Sequence, residues 1–301
     1  MQHLNSLSKS QQDGVIALIN AVTQQDGTPP ISEHIVLHLR HGGDKSDSHL
    51  IIEKENKIIG YAHIDATDLV AGPSVELVVH PENRKSGYGK DLLNKAKEIC
   101  GNQMRLWAHG DLPAAQKLAE QNGFERIRTV IQMRKDLTDH HTHQHNFDIR
   151  TFLPGIDNDE WLALNNQVFK DHPEQGNWSI KDLETRLNES WFAPNGFFVA
   201  IEEGKIIGFT WTKIHGGHSH KHDRDSEQHD HEPIGEIYIT AIAKPGTGLG
   251  KVLTETALAY LKRSGLSSAM LYVDSDNKRA LNLYKSLGFL ESAQDVMYRL
   301  R

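Results

Sequence analysis

The chain has 301 residues, 38% of them apolar and 24% charged; this length suits two α/β cores of ordinary size, and no apolar run is fit to span a bilayer. A formal net charge of -7 has the wrong sign for affinity through nucleic-acid phosphates, so a small molecule is the expected partner, rather than nucleic acid or a membrane. Cys100 is the single cysteine, which excludes an intrachain disulfide and a cysteine-based zinc cluster and fits a reducing compartment.

The opening MQHLNSLSKS has neither the apolar stretch of a secretory signal nor the Arg-rich look of a transit peptide, so a cytoplasmic protein is expected; the sequence does not reveal the oligomeric state, for which a monomer is one option. Ser32-Glu33 reads as a helix start, where acids are favoured. Apolar runs on either side of Glu55-Asn56-Lys57 predict a β-hairpin. A strand from Val75 then leads into the turn Arg84-Lys85-Ser86-Gly87-Tyr88-Gly89, and Leu92, Leu93, Ala96 and Ile99 recur at helical intervals after it.

A strand ending near Lys135 is followed by DHHTHQH, Asp139 to His145, a polar tract without periodicity. It divides the chain into residues 1–138, a linker at 139–146 and a second domain at 147–301. The second half has its own hairpin signal at Glu203-Gly204-Lys205. A second tract, from His215 to His231, carries six histidines among acids and glycines and reads as a long hairpin insertion over 215–233. It lacks a fixed ligand spacing, so a solvated loop and no metal is the expectation. The strand from Ile237, the glycines of Gly248-Leu249-Gly250 and a helix marked by Leu253, Ala257, Tyr260 and Leu261 follow.

The two halves end alike, which points to an internal repeat. In register, Trp107 falls on Tyr272, Ala115 on Ala280, Gly123 on Gly288 and Phe124 on Phe289. Upstream, the block from Val75 matches the block from Ile237 as strand, glycine turn and helix. Such a turn leaves free backbone N–H groups at the positive end of a helix, a seat for a pyrophosphate, to which Arg84 and Lys85 add charge.

Arg84 through Gly89 resemble in full the signature of the GNAT acetyltransferase superfamily: Arg or Gln, two residues, Gly, one residue, then Gly or Ala. In the second half Pro245 stands where Arg or Gln is usual, and the loop is shorter. The resemblance implies two tandem GNAT domains, each with a mixed, mostly antiparallel central sheet flanked by helices, and acetyl-CoA as co-substrate. It also implies that Asn277 and its helix flank the CoA arm and that Tyr284 faces the thioester.

Acyl transfer to an amine needs a neutral amine, a polarised carbonyl and a proton for the departing thiolate. Glu236, on the strand Glu236-Ile237-Tyr238-Ile239-Thr240, is the candidate base and Tyr284 the candidate acid; the plain alternatives are a strand-end surface charge and a core ring. Ala119 holds the first-half position of Tyr284 and Pro73 lies near that of Glu236, so the first domain is expected to be non-catalytic.

Further stretches resemble the mycothiol synthase family: Trp107-Ala108-His109-Gly110-Asp111, Phe169 through Trp178, Gly208 through Lys213, Gly235-Glu236-Ile237-Tyr238 and Leu271 through Asn277. That resemblance implies acetyl transfer to the cysteinyl amine of cysteinyl-glucosaminyl-inositol. It places substrate contacts on Glu33, Glu174, Lys213, Glu236 and Tyr272, a polar set suited to a polyol with one amine. It places acetyl-CoA contacts on Leu77, Val78, Val79, Lys85, Ser86, Gly87, Tyr88, Gly89 and Lys90 in the first half. In the second half they fall on Thr240, Ala241, Ile242, Gly248, Leu249, Gly250 and Lys251, then on Asn277, Lys278, Arg279, Ala280, Leu281 and Asn282. Two other readings stay open: a GNAT enzyme for another amine, such as a protein N-terminus or an aminoglycoside, and an acetyl-CoA-binding sensor without turnover.

Overall fold

Capping chemistry sets where the helices begin. A computed structural model describes residues 1–41, 47–66, 72–138, 145–170, 172, 175–215 and 233–301. Ser8 and Ser179 close capping boxes at the starts of α1 (Lys9–Asp26) and α6 (Ile180–Leu187). By contrast α3 (Tyr88–Cys100) and α7 (Leu249–Arg263) start from left-handed glycines, Gly87 and Gly248, with no side-chain cap. Neither glycine caps its helix, and among the described residues the one side-chain bond to a first amide of either helix is in α7, where Leu249 N donates to Thr247 Oγ1 at 3.3 Å.

The first half runs β1 (Gln2–Leu4), α1, α2 (Glu33–His41), β2 (Ser48–Lys54), β3 (Lys57–Asp65), β4 (Ser74–Val79), α3, β5 (Arg105–Ala108), α4 (Pro113–Gln121) and β6 (Phe124–Asp136). The second runs β7 (Asp148–Thr151), α5 (Asn158–Val168), α6, β8 (Phe197–Glu202), β9 (Lys205–His215), β10 (Ile234–Ile242), α7, β11 (Ser268–Asp274), α8 (Lys278–Ser286) and β12 (Leu290–Leu300). The predicted hairpins turn at Glu55 and Asn56 and at Glu203 and Gly204, all with positive φ, as two-residue hairpin loops require. The short strands β1 and β7 carry no pattern that distinguishes them in the sequence.

Each half builds a sheet that is antiparallel except for one central pair. In the first, β1-β2-β3-β4 run antiparallel and β4 pairs β5 in parallel. In the second, β7-β8-β9-β10 run antiparallel and β10 pairs β11 in parallel. Helices cover both faces of each sheet. In the first half Leu92, Leu93 and Ala119 pack on one face, and Val15, Leu18 and Ile35 on the other. In the second, Trp161, Leu164 and Leu183 cover one face, and Leu249 and Leu253 the other. Each fully buried side chain of this kind contributes roughly 1.5–3 kcal/mol. No helix among the described residues is long and apolar enough to cross a membrane.

The compact units differ from the boundary at residues 139–146. Unit 1 is Met1–Ile131 with Ala293–Arg301, and unit 2 is Gln132–Ser292. Residues Val296 to Arg299 of β12 pair antiparallel with β5 and complete the sheet of unit 1, whereas β6 runs on into unit 2, where it neighbours β11. The physical reason is the repeat itself: two copies with the same closing pattern present the same edge to a last strand, so either strand satisfies either edge. The linker residues 139–144 lie outside the described residues.

Candidate active site

In unit 2 the parallel pairing of β10 with β11 covers Gly235, Glu236 and Ile237 against Ala269, Met270 and Leu271, and ends there. Past this point β10 continues to Ile242 paired only with β9. The register on β9 shifts between Ile237 and Ile239, leaving Tyr238 as the bulged residue. Bulges re-aim side chains and end pairing beside active sites. Unit 1 has the same three-residue parallel contact, Ser74 to Glu76 against Arg105 to Trp107, but no shift between β3 and β4.

Glu236 stands at this opening and is 7% exposed, so it is no strand-end surface charge. Its carboxylate accepts a hydrogen bond from His215 Nε2 at 2.6 Å. His215, read from sequence as the start of the histidine tract, is the last residue of β9; its strand pairing, invisible in a tract of similar residues, holds it there. Lys213, the cross-strand partner of Glu236, is 9% exposed, with its Nζ 4.6 Å from the Trp191 ring centre and 5.7 Å from that of Tyr238. Burial pushes the Lys213 ammonium down to about 8, against the opposing pull of Glu236.

Tyr272 lies two residues beyond Met270, the partner of Glu236, and so on the same face of the sheet as Glu236 and Lys213. It is 40% exposed, and its hydroxyl accepts from Gln132 Nε2 at 2.9 Å. Unit 2 thus brings Lys213, Glu236 and Tyr272 to one face. Glu33, the first residue of α2, belongs to unit 1, and Glu174 lies outside the described residues.

Tyr284 sits on α8, buried, its ring edge-on to Phe289 at 5.8 Å. Burial pushes its hydroxyl up to about 12, and that hydroxyl makes no hydrogen bond among the described residues, so its proton is both retained and uncommitted. The neighbouring Leu283 packs 3.6 Å from the Cβ position of Gly250 in α7.

The residues present fit acetyl-CoA. A Cβ at Gly248, where φ is +84°, meets nothing within 4 Å, so the start of α7 is open to an approaching phosphate beside the Leu249 amide, which donates to Thr247 Oγ1. Arg279 Nη2 comes 3.7 Å from the Cβ position of Gly246, bringing a guanidinium to the same turn. Leu249, Gly250 and Lys251 form the first turn of α7, and Thr240, Ala241 and Ile242 the end of β10. Thr240 Oγ1 is engaged with Thr210 at 2.8 Å. Asn277 Oδ1 caps α8 by accepting from Ala280 N at 3.1 Å, while Lys278, Leu281 and Asn282 lie on α8.

In unit 1, Leu77, Val78 and Val79 end β4, and Ser86 with Gly87 leads into Tyr88, Gly89 and Lys90 of α3. Arg84 does not point its charge to this turn: it forms a bidentate pair with Asp26 at 2.8 and 2.6 Å. Lys85 adopts a positive φ of 63°. Ala119, at the position of Tyr284, is fully buried and offers no proton.

Fold and site together define a GNAT acetyltransferase built twice in one chain. Residues 160–289 match the model of the acetyltransferase (GNAT) family and residues 45–126 that of an acetyltransferase (GNAT) domain. Solved structures with the same fold include a GCN5-related N-acetyltransferase from Sphaerobacter thermophilus, with TM-score 0.67, 20% identity and coverage of 99% of this chain and 94% of that one. A tandem GNAT protein from the clavulanic acid biosynthesis pathway has TM-score 0.70, 15% identity and coverage of 99% and 97%.

The mycothiol acetyltransferase of Acidothermus cellulolyticus is 47% identical over 94% of this chain and 89% of its own length, and that of Thermomonospora curvata 42% identical over 98% and 95%. The chain belongs to the mycothiol acetyltransferase family.

Proposed function

We propose that the chain transfers the acetyl group of acetyl-CoA to the cysteinyl amine of cysteinyl-glucosaminyl-inositol, giving mycothiol and CoA, and that unit 2 carries the chemistry. The observation that carries this reading is the buried Glu236, bonded to His215 and cross-strand from Lys213, at the point where β10 and β11 part. Family membership at 37–47% identity supports the acceptor.

The bound co-substrate supplies the acetyl thioester. The first-turn amides of α7 and the Arg279 guanidinium hold its pyrophosphate, and the open edge of β10 from Thr240 to Ile242 holds the pantetheine arm by strand-like hydrogen bonds. Glu236 accepts a proton from the acceptor ammonium, directly or through one water, freeing the nitrogen lone pair for attack on the carbonyl carbon. As the carbon–sulfur bond breaks, the Tyr284 hydroxyl gives its proton to the sulfur, and the second proton lost by the nitrogen restores the phenol through solvent. Lys213 and Tyr272, with Glu174, bond the hydroxyls of the sugar and inositol. The unit 1 turn from Lys85 to Lys90 takes a second acetyl-CoA without turnover, and no metal takes part in the transfer.

The test is thiol release from acetyl-CoA with the cysteinyl pseudodisaccharide, a protein N-terminal peptide and an aminoglycoside as acceptors. Turnover with the first and not the others is expected; indifference to the pseudodisaccharide overturns the reading.

A further inference from the structure

Unit 1 carries buried imidazoles at positions where unit 2 is aromatic and apolar. His63 pairs across the sheet with His49 and Glu76. Trp211, three residues past Gly208 as His63 is past Gly60, pairs with Phe197 and Ile239, and its ring stacks on Phe197 at 4.4 Å. Replacing that stack with imidazoles leaves polar nitrogens in a dry interior, which costs stability unless something bonds them.

Three of these groups converge. His38 Nδ1 on α2 lies 2.9 Å from Asp47 Oδ2, and His63 Nε2 on β3 lies 3.9 Å from the same oxygen. One ligand atom from each of the three residues lies within 4.8 Å of the others. The His63 side chain is 0% exposed, and its Nε2 has no hydrogen-bond partner. Its other nitrogen, Nδ1, faces the Tyr61 hydroxyl at 3.4 Å, and that hydroxyl in turn faces His49 Nδ1 at 2.9 Å. The ring is thus held through Nδ1 with Nε2 presented to the carboxylate, the arrangement by which an outer hydrogen bond orients a metal-binding imidazole.

We infer that His38, Asp47 and His63 form a binding site for a divalent transition-metal ion of the Zn²⁺ class in unit 1. Two imidazoles and one carboxylate suit such ions, whereas Mg²⁺ and Ca²⁺ take mostly oxygen ligands in larger number. Metal–ligand bonds of about 2.0–2.2 Å in a tetrahedral site put ligand atoms roughly 3.3–3.6 Å apart. The distances of 2.9 and 3.9 Å to Asp47 bracket that spacing, and the two imidazole nitrogens, within 4.8 Å of each other, draw together as the ion binds. The ion pins α2 to the β2–β3 hairpin, and water fills the remaining position.

The test uses the full chain with the histidines of residues 139–145 and 216–231 changed to Gln, so that the tracts cannot chelate. After stripping with a chelator, Co²⁺ titration is expected to saturate at about one equivalent, with the visible absorption of a four- or five-coordinate ion. Zn²⁺ abolishes that band and raises Tm, because it binds the folded form alone. His63→Gln, and separately His38→Gln, lose both the equivalent and the band while keeping the far-UV circular dichroism of the parent. Full uptake by a folded His63→Gln or His38→Gln protein overturns the inference. Absence of uptake by the stripped parent does so too, and that result stands even if a variant fails to fold.

Discussion

Glu236 and His215 face each other across β9 and β10, carboxylate to Nε2, at 2.6 Å. Lys213 is the cross-strand partner of the same glutamate, so a single neighbouring strand bonds the carboxylate through His215 and sets a lysine on the same face. Rotamer freedom is small for a buried group bonded in this way, and a base so fixed is preorganised for an incoming amine.

Glu236→Gln keeps the shape and removes the proton acceptor. Its kcat is expected to fall by ~10²–10⁴, with the KM for acetyl-CoA within about twofold of wild type, in steady-state thiol-release assays. Wild-type turnover would take Glu236 out of the mechanism.

His215 acts through Glu236. Loss of a hydrogen bond to a charged group costs roughly 1.5–3 kcal/mol, so His215→Ala should lower kcat by about 10- to 100-fold. His215→Gln, which retains an N–H donor, should recover most of that loss. Equal defects in the two variants would show that the ring matters for packing instead.

Tyr284→Phe deletes a hydroxyl that burial keeps protonated up to about pH 12. The expected outcome is a kcat loss of ~10²-fold with unchanged acetyl-CoA affinity by calorimetry. No alkaline limb of the wild-type pH–rate profile below pH 10 should belong to this residue.

Lys213 titrates near 8 because burial disfavours its ammonium. It is charged below that value and neutral above it, so the KM for the acceptor should rise as pH climbs from about 7 to 9 while the KM for acetyl-CoA stays level. Lys213→Met should show a high acceptor KM at every pH, and persistence of the wild-type rise in this variant removes Lys213 from substrate binding.

His109 offers a stability test in unit 1. Its Nε2 donates to Glu76 at 3.0 Å and its Nδ1 to Asp295 at 3.2 Å. Burial pulls the imidazole down, and the two carboxylates more than reverse this and hold it well above its ordinary value. A raised folded-state pKa means that its contribution is complete below about pH 6.5 and is lost as pH rises toward the folded value. Thermal unfolding should therefore show Tm falling above about pH 6.5, with a slope of at most about 1.4 kcal/mol per pH unit in stability. His109→Gln should flatten that limb.

Periodicity and turn chemistry made most of the fold legible. Two-residue hairpin turns, helical spacing after Gly87 and Gly248, and matched closing segments are local patterns, and local patterns are written in consecutive residues. Arg84 shows the limit of such reading. Its place in the signature turn is plain from spacing, but its commitment to Asp26, 58 positions away in the chain, is not. Lys213 is likewise legible as a strand residue, whereas its burial over Trp191 is not.

The sequence by itself determined the duplication, the order of elements in each copy and which copy lacks the tyrosine on its last helix, because each follows from residue type and spacing along one stretch. Tertiary structure alone decided that His215 bonds Glu236, that Tyr238 bulges out of the β10 ladder, that the final strand closes the sheet of unit 1, and that His38, Asp47 and His63 meet. Those facts depend on strand register and on which edges find partners, and register is settled by the packing of whole faces rather than by any single segment.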